Sequence, residues 1–600
     1  MESSTALYAR RLAEIRGIMK EEGIDGFIVP CTDQFQVEYL GPDVHRLKWL
    51  TGFSGEAAVA VVLADRAAIF VDGRFTVQVR EQVPETLFDY CHLHQEPHLQ
   101  WLAEHLNSEG ALGFDASLQT YDWYQDACKV FESDNIHLKP LAENPIDRLW
   151  HDRPLAPAAP GFLLGEEYTG SSCLEKRQRL SEIMTKDGVD SLVLTQPDSV
   201  NWLFNIRGSD VPSLPVVLGY GLVHQDGAAE LFVPDNKLDY SFEVHAGEGV
   251  SLKPLNQLEN RLTQLGEQGA LVQVDTRRSN AWTPLTLTHS GARLHVAEDP
   301  CMLMKAIKND TEIAGMRKAH IYAGIATCRF FAWLDRVLVD QSDTLDEGVL
   351  ADKLEALLAE NPQYHGYSFE TISALGPNGA MCHYNHTQTI PRKLGQDGLY
   401  LVDSGAQYPE GTTDMTRTVQ VGPVSDEMRT RYTQVLQGHI QLATARFPEG
   451  THGVQLDVLA RMPLWQDGCN YDHGTGHGVG HFLSVHESPA GIGSKVMESK
   501  LLPGMMITDE PGYYKADSYG IRIENLYLIK PVLQGEGFLE LESLTFVPID
   551  CRLIDKKRLS PEQIQWVDDY HQQVRDQIAP YLDDVDRLWL EKVTRPLSEQ

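Results

Sequence analysis

The sequence predicts a mixed α/β (α+β) protein in which two related α/β domains precede a larger domain that carries the chemistry. Three observations predict it: a length beyond one core, a repeated helix–glycine–strand signal, and a concentration of carboxylates and histidines in the second half. At 600 residues the chain exceeds what a single hydrophobic core organises, and ~150 residues per domain suggests about four units. Hydrophobic residues make up 42% and charged residues 23%, the composition of an ordinary folded protein.

The repeat supplies the domain plan. One copy runs Arg11-Leu12-Ala13-Glu14-Ile15, then Gly23-Ile24-Asp25-Gly26-Phe27-Ile28-Val29, then Trp49-Leu50-Thr51-Gly52. The other runs Arg179-Leu180-Ser181-Glu182-Ile183, then Gly188-Val189-Asp190-Ser191-Leu192-Val193-Leu194, then Trp202-Leu203. Each reads as an amphipathic helix stopped by glycine and followed by a buried strand. Between them Pro154, Pro157 and Pro160 mark an extended connector. A softer boundary falls at Asp299-Pro300, after which apolar residues at Ile307, Ile313, Met316, Ala319 and Ala323 predict one helix over Lys305 to Ile325. The expected domains are 1–155, 156–302 and 303–600. Near the end, Ser560-Pro561-Glu562-Gln563 predicts a helix start, with a serine cap, proline in the first turn and Gln at the capping-box position.

Charge and cysteine usage exclude whole classes. With 85 acidic and 51 basic residues the net charge is −34, so the surface repels phosphate backbones and anionic lipids, and neither nucleic acid nor membrane is expected as a partner. The 9 cysteines form no CxxC pair or dense framework, and the longest apolar run, Ala57 to Ala64, is far below a membrane span. Met1-Glu2-Ser3-Ser4 does not open a signal peptide. A cytoplasmic location is expected.

Three stretches carry chemistry. The first, Leu399 to Val421, reads as two β-rich runs around a Pro/Gly turn, with Asp403 and Asp414 equally far from a centre between Tyr408 and Pro409. In an unbulged antiparallel hairpin such residues face each other with Cβ atoms ~5 Å apart, so two carboxylates there either flank a solvated turn or share a cation. The second, Thr508 to Asn525, repeats the arrangement: Glu510 and Glu524 are symmetric about Asp517, and Glu524 interrupts an apolar strand where an unpaired carboxylate is costly. Arg522 shares its face by alternation.

The third, Asp472 to Glu487, contains His473, His477, His481 and His486. Glycines at 474, 476, 478 and 480 disfavour a helix by roughly 1 kcal/mol each, so an extended strand or loop is expected. Alternation then places the histidines on one face and the glycines on the other, where another backbone or a ligand can approach. Four carboxylates and an imidazole suit Mn²⁺, Co²⁺, Fe²⁺ or Zn²⁺ rather than a thiolate-loving ion. Two divalent ions balance four carboxylates, and ~3.5–4 Å apart such a pair can bridge a water and lower its pKa.

The ordered set Asp403, Asp414, His477, Glu510 and Glu524, within the strings VDSGAQY, GTTD, HGTGHGVG, TDEPGYY and GIRIEN, resembles the pita-bread metallopeptidases (the creatinase, prolidase and methionine aminopeptidase group). Within them it most resembles the long, three-domain Xaa-Pro aminopeptidases, and the likeness extends to FVDGRF, LFNIRGSDV, GPNGA with His383-Tyr384, and the tail around Trp589-Leu590. The resemblance implies two creatinase-N-terminal-like domains before a pita-bread catalytic domain with a helical extension. It implies two divalent ions per subunit, manganese before cobalt or zinc: Asp403 on one, Asp414 and Glu524 bridging, His477 and Glu510 completing the other. A bridging hydroxide would attack the carbonyl before proline while Glu510 relays its proton to the proline nitrogen. His383 and His486 would position substrate and stabilise the oxyanion, His473 would stand near the proline-ring pocket, and Arg522 would support the metal carboxylates. His481 and Ser488 depart from the small residue and glycine of the family pattern.

The expected function is a metallo-aminopeptidase releasing the N-terminal residue from peptides with proline second, working as a homodimer. A prolidase restricted to dipeptides is the nearer alternative, usually with one N-terminal domain. A methionine aminopeptidase would lack both front domains, a creatinase-like hydrolase would lack several ligands, and a non-catalytic pita-bread scaffold would be expected to have lost ligands that are all present here.

Overall fold

The computed structural model describes residues 4–339, 345–395, 398–495, 497 and 499–599. The chain forms two compact units: one holds residues 1–163, 171–212 and 216–301, the other residues 164–170, 213–215 and 302–600.

The N-terminal unit contains two six-stranded sheets built to one plan. In the first, strands β1 (Gly26–Pro30), β2 (Ala58–Leu63), β3 (Ala67–Val71), β4 (Asp89–His92), β5 (Ala111–Phe114) and β6 (His137–Pro140) lie in the order β4-β3-β2-β1-β5-β6. In the second, β7 (Ser191–Leu194), β8 (Tyr220–His224), β9 (Ala229–Val233), β10 (Val250–Pro254), β11 (Leu271–Val274) and β12 (Arg293–Val296) lie in the order β10-β9-β8-β7-β11-β12. The pairing senses also match. The first three strands of each sheet form an antiparallel meander, and the outer strands add in parallel through helical crossovers. In both copies the helix before the first strand, Ser4–Glu22 or Cys173–Asp187, ends at a glycine with positive φ, +63° at Gly23 and +68° at Gly188. The connector over 153–161 has no regular structure, as its prolines predict.

In the C-terminal unit the single helix predicted over Lys305 to Ile325 is two helices. Pro300–Ala306 stops, and Asp310–Val339 starts afresh. The cause is a capping box. The Asn309 side chain accepts from the amides of Thr311 and Glu312 while the Glu312 carboxylate accepts from the Asn309 amide, all at 3.0 Å, which satisfies donors that would otherwise end unpaired. The tail helix Pro561–Ile578 starts with the expected box at Ser560 and Gln563.

Two larger sheets and a two-stranded pair, Gly512–Lys515 with Tyr519–Arg522, hold the chemistry-bearing stretches. A three-stranded antiparallel sheet joins Ile372–Leu375, Leu399–Ser404 and Met415–Gln420. A six-stranded sheet places Gly476–Gly478 between Met506–Asp509 and Glu487–Ile492, with Asn525–Pro531, Phe538–Ser543 and Phe447–Pro448 beyond. The helix Asp426–Ala443 and the tail helix pack Tyr432, Val435, Leu436, Val567 and Tyr570 against Ile521 and Ile523, anchoring the strand that leads to Glu524. All nine cysteines are free thiols. Among the described residues no helix is long and apolar enough to cross a membrane.

Glu487, which opens one edge strand, is buried against two buried ammonium groups: Lys305 Nζ at 2.9 Å and Lys308, which contacts its other oxygen. Burial pushes Lys308 down from the usual lysine range although Glu487 opposes it. Breaking such a cluster leaves uncompensated charge inside. Glu487→Ala is expected to lower the stability of the C-terminal unit by about 3–5 kcal/mol, read from its urea midpoint. A loss below about 1 kcal/mol would mean that the two lysines find water instead.

Candidate active site

Asp403 is the next-to-last residue of the strand Leu399–Ser404, and Asp414 stands just before Met415–Gln420. The observed register pairs Asp403 with Thr416 and Gln407 with Thr412, centring the hairpin between Pro409 and Glu410. The centre predicted between Tyr408 and Pro409 is one position early, so the two aspartates are diagonal rather than opposite. Moving the centre by one residue changes each partner by two, which preserves the face. Gly405, across from Asp414, fits where an added Cβ would come within 2.1 Å of Ser368 Oγ and Thr413 O.

The second pair has the register that the sequence predicts. Gly512 pairs with Arg522 and Asp509 with Asn525, a single register about Asp517 that sets Glu510 opposite Glu524. Around the histidines only Gly476–Gly478 is a strand, with a register shift at His477/Gly478. An added Cβ at Gly476 would come within 1.9 Å of Thr508 O, and one at Gly478 within 2.3 Å of Glu487 O. Neighbouring backbones press on the glycines, and His477 is left facing the carboxylates.

Among the described residues, one group of potential metal ligands converges: Asp414, His477 and Glu524, with one ligand atom from each within 4.8 Å of the others. Glu510 Oε1 lies 3.5 Å and Asp414 Oδ2 3.4 Å from His477 Nε2. His477 Nδ1 is 2.9 Å from the carbonyl of Gly478. A carbonyl only accepts, so Nδ1 carries the proton and Nε2 turns a lone pair toward the acids. Asp403 is held by Arg522, Nη2 to Oδ2 at 2.6 Å, while its buried Oδ1 has no hydrogen-bond partner among the described residues. Such an orphaned oxygen, close enough to Asp414 and Glu524 for its charge to act on both, fits a hard or borderline divalent cation.

The electrostatics agree. Burial first, then the charges of Asp403 and Glu510, raise Asp414 well above the usual carboxylate range, against the opposing influence of His486 and Arg522. Glu524, 1% exposed, is raised by burial and by Asp414, Asp403 and Glu510, with the Thr416 hydroxyl opposing at 2.6 Å. Arg522 itself is raised above the usual arginine range. Its burial acts the other way, but Tyr514, Asp403 and Glu510 outweigh it.

The remaining predicted residues surround this group. The rings of His486 and His477 are 4.4 Å apart, edge to face. His383 lies in the loop after Gly376–Ala380, next to Cys382, whose carbonyl is 3.5 Å from Arg522 Nη2, and its charge acts on His473. His473 is pushed down to about 3, by burial first and then by Arg522, so it is neutral and makes no ion pair with Glu510 at 4.0 Å. Its Nδ1 donates to Gly474 O at 2.7 Å. Nε2 therefore accepts from Tyr514 OH at 2.8 Å, and that phenol accepts from Arg522 Nη1 at 2.7 Å.

Thr416 and Tyr514 are supporting residues that the sequence reading missed. Thr416 stands two positions after Asp414 and Tyr514 four after Glu510, on the faces that alternation assigns to those acids. That parity was the available signal.

Known proteins repeat this organisation. Metallopeptidase family M24 matches residues 314–531, with its C-terminal region at 537–597, and the creatinase/prolidase N-terminal domain matches twice, at 11–149 and 152–312. A "Probable Xaa-Pro aminopeptidase P" of Paracoccidioides brasiliensis is 37% identical, covering 98% of this chain and 99% of its own length. The chain belongs to metallopeptidase family M24. The corresponding protein of Coprinopsis cinerea is 38% identical over 98% of both chains. The X-prolyl aminopeptidase of Caenorhabditis elegans, described as a cytosolic enzyme with a di-nuclear active site, is 32% identical, with a TM-score of 0.94 over 98% of this chain and 99% of that one.

The raised acids set a pH dependence. A carboxyl whose folded pKa exceeds its unfolded value contributes stability at low pH that is lost as pH rises through the folded value. For Asp414 and Glu524, metal-free protein is therefore expected to lose stability as pH climbs from about 4 toward those raised values, and a divalent cation is expected to displace their protons. Calorimetric titration with Mn²⁺ in two buffers of different protonation enthalpy, at a pH between about 4 and those raised values, should show net proton release. Buffer-independent heats would contradict the assignment.

Proposed function

We propose that this chain is an Xaa-Pro aminopeptidase, a metallo-exopeptidase that hydrolyses the bond between an N-terminal residue and a following proline. The observation that carries the reading is the convergence of Asp414, His477 and Glu524, with Glu510 and Asp403 beside them, in a chain that aligns end to end with aminopeptidases of that name. In this reading Asp403, Asp414, His477, Glu510 and Glu524 would together hold the two cations, with Asp403 and the pair His477 and Glu510 on opposite sides of Asp414 and Glu524 as the family resemblance implies. The donor set suits manganese before cobalt or zinc. When bound, a pair of divalent ions polarises the scissile carbonyl and lowers the pKa of an attacking water.

The protein's own groups do the rest. An Xaa-Pro bond is a tertiary amide whose nitrogen has no hydrogen and leaves only once protonated. Glu510, the more exposed acid at 18%, takes a proton from the water and passes it to that nitrogen. His383 and His486 hold the substrate carbonyl and donate to the developing oxyanion. Neutral His473 borders the proline subsite, fixed through Tyr514, and Arg522 fixes Asp403.

Two matches to the N-terminal domain favour an aminopeptidase over a dipeptide-restricted prolidase. We read 1–155 and 156–302 as those domains and 303–600 as the catalytic one, in a homodimer acting in the cytoplasm, where the Caenorhabditis elegans relative is described.

Enzyme reconstituted with Mn²⁺ is expected to release the first residue of Xaa-Pro-Xaa tripeptides, whereas cleavage of Xaa-Pro dipeptides alone would make it a prolidase. Asp414→Asn removes a shared charge without changing shape. It is expected to lower kcat by on the order of 10³ or more with an unchanged far-ultraviolet circular dichroism spectrum, and near-normal turnover would refute the ligand assignment.

A further inference from the structure

His383 lies in a segment with little regular structure of its own. From Gly376 to Arg392 the chain forms only two short 3₁₀ turns, Gly376–Ala380 and His386–Gln388. What orders it is a carboxylate from elsewhere. Glu347, the first residue of the helix Glu347–Leu358, is 0% exposed. Its Oε1 accepts from Leu375 N at 2.7 Å and from Asn378 Nδ2 at 3.0 Å. Its Oε2 accepts from Tyr384 OH at 2.7 Å, from Arg392 N at 2.8 Å and again from Asn378 at 3.1 Å. One side chain thus ties both ends and the middle of the segment, and the residue next to His383 is one of its partners.

The opposite side of the segment is fixed as well. A Cβ on Gly520 would come within 1.6 Å of the carbonyl of Gly379, so the first turn lies backbone to backbone on the strand Tyr519–Arg522. These donors are all neutral, and both carboxylate oxygens receive hydrogen. A carboxamide could not replace the carboxylate there, because its NH₂ would confront the amide N–H of Leu375 or of Arg392. Burying a carboxylate is costly unless every lone pair is used, and this one uses its bonds on the loop that carries His383 toward Arg522 and His473.

We propose that Glu347 is a positioning residue for His383, holding the loop so that the imidazole meets the substrate. The inference rests on the role given above to His383, and a double-mutant cycle separates the two. Wild type, Glu347→Gln, His383→Ala and the double variant are assayed as Mn²⁺-reconstituted enzyme on an Xaa-Pro-Xaa tripeptide.

Glu347→Gln is expected to cost roughly ten- to a hundredfold in kcat/KM when His383 is present and less than about twofold when it is absent, with metal content unchanged. An equal loss in both backgrounds would overturn the proposal and leave Glu347 a stabilising residue only. Full activity of His383→Ala would overturn the role of His383 and that of Glu347 with it. Should Glu347→Gln not fold, Tyr384→Phe keeps the carboxylate and removes its bond beside His383, together with the phenol's contacts to Asn378 and Thr389. A smaller loss that again vanishes without His383 is expected, and no loss would overturn the proposal.

Discussion

The crowding of acidic oxygens around one imidazole governs the C-terminal unit. Asp403, Asp414 and Glu524 are buried, and Glu510 joins them at the His477 nitrogen. Removed from water, like charges raise one another's pKa until protons or cations intervene. Arg522 supplies a fixed positive charge hydrogen-bonded to Asp403, and a divalent cation would offset the repulsion that remains. Much of the local architecture follows from this need. Glycines 476 and 478 let three backbones close around His477, and one continuous register carries Glu510 and Glu524 into opposition.

The same logic extends to the residues around the group. Two of the histidines, His383 and His486, are each one residue from an anchor in a buried polar network. His383 precedes Tyr384, which reaches the Glu347 carboxylate, and His486 precedes Glu487, which is held by two lysines. Neither network belongs to the metal group, yet each holds the backbone next to a histidine proposed to act beside it. Rigid support behind reactive residues is what sub-ångström catalytic geometry demands.

What could be read from the sequence depended on whether the cause was local. The two N-terminal repeats were legible because a glycine in the left-handed region ends each leading helix, and the tail helix because its capping box is written in four consecutive residues. The face shared by Asp403 and Asp414 survived an error in the turn centre because strands alternate with period two. The break at Ile307–Asn309 was missed because hydrophobic spacing runs straight across it, although Asn309 and Glu312 spell the box that causes it. Glu347 could not be found from the sequence at all. Its partners lie 28 to 45 positions away, and no periodicity links a helix start to an irregular loop. The order of the outer strands was likewise hidden, since parallel crossovers leave no short-range signature.

The most direct measurement of the central claim is elemental analysis of the purified chain after reconstitution with excess Mn²⁺ and removal of free ion. About two tightly held equivalents per chain are expected, falling sharply when Glu524 is changed to Gln. Retention of no metal, or equal retention by that variant, would contradict it.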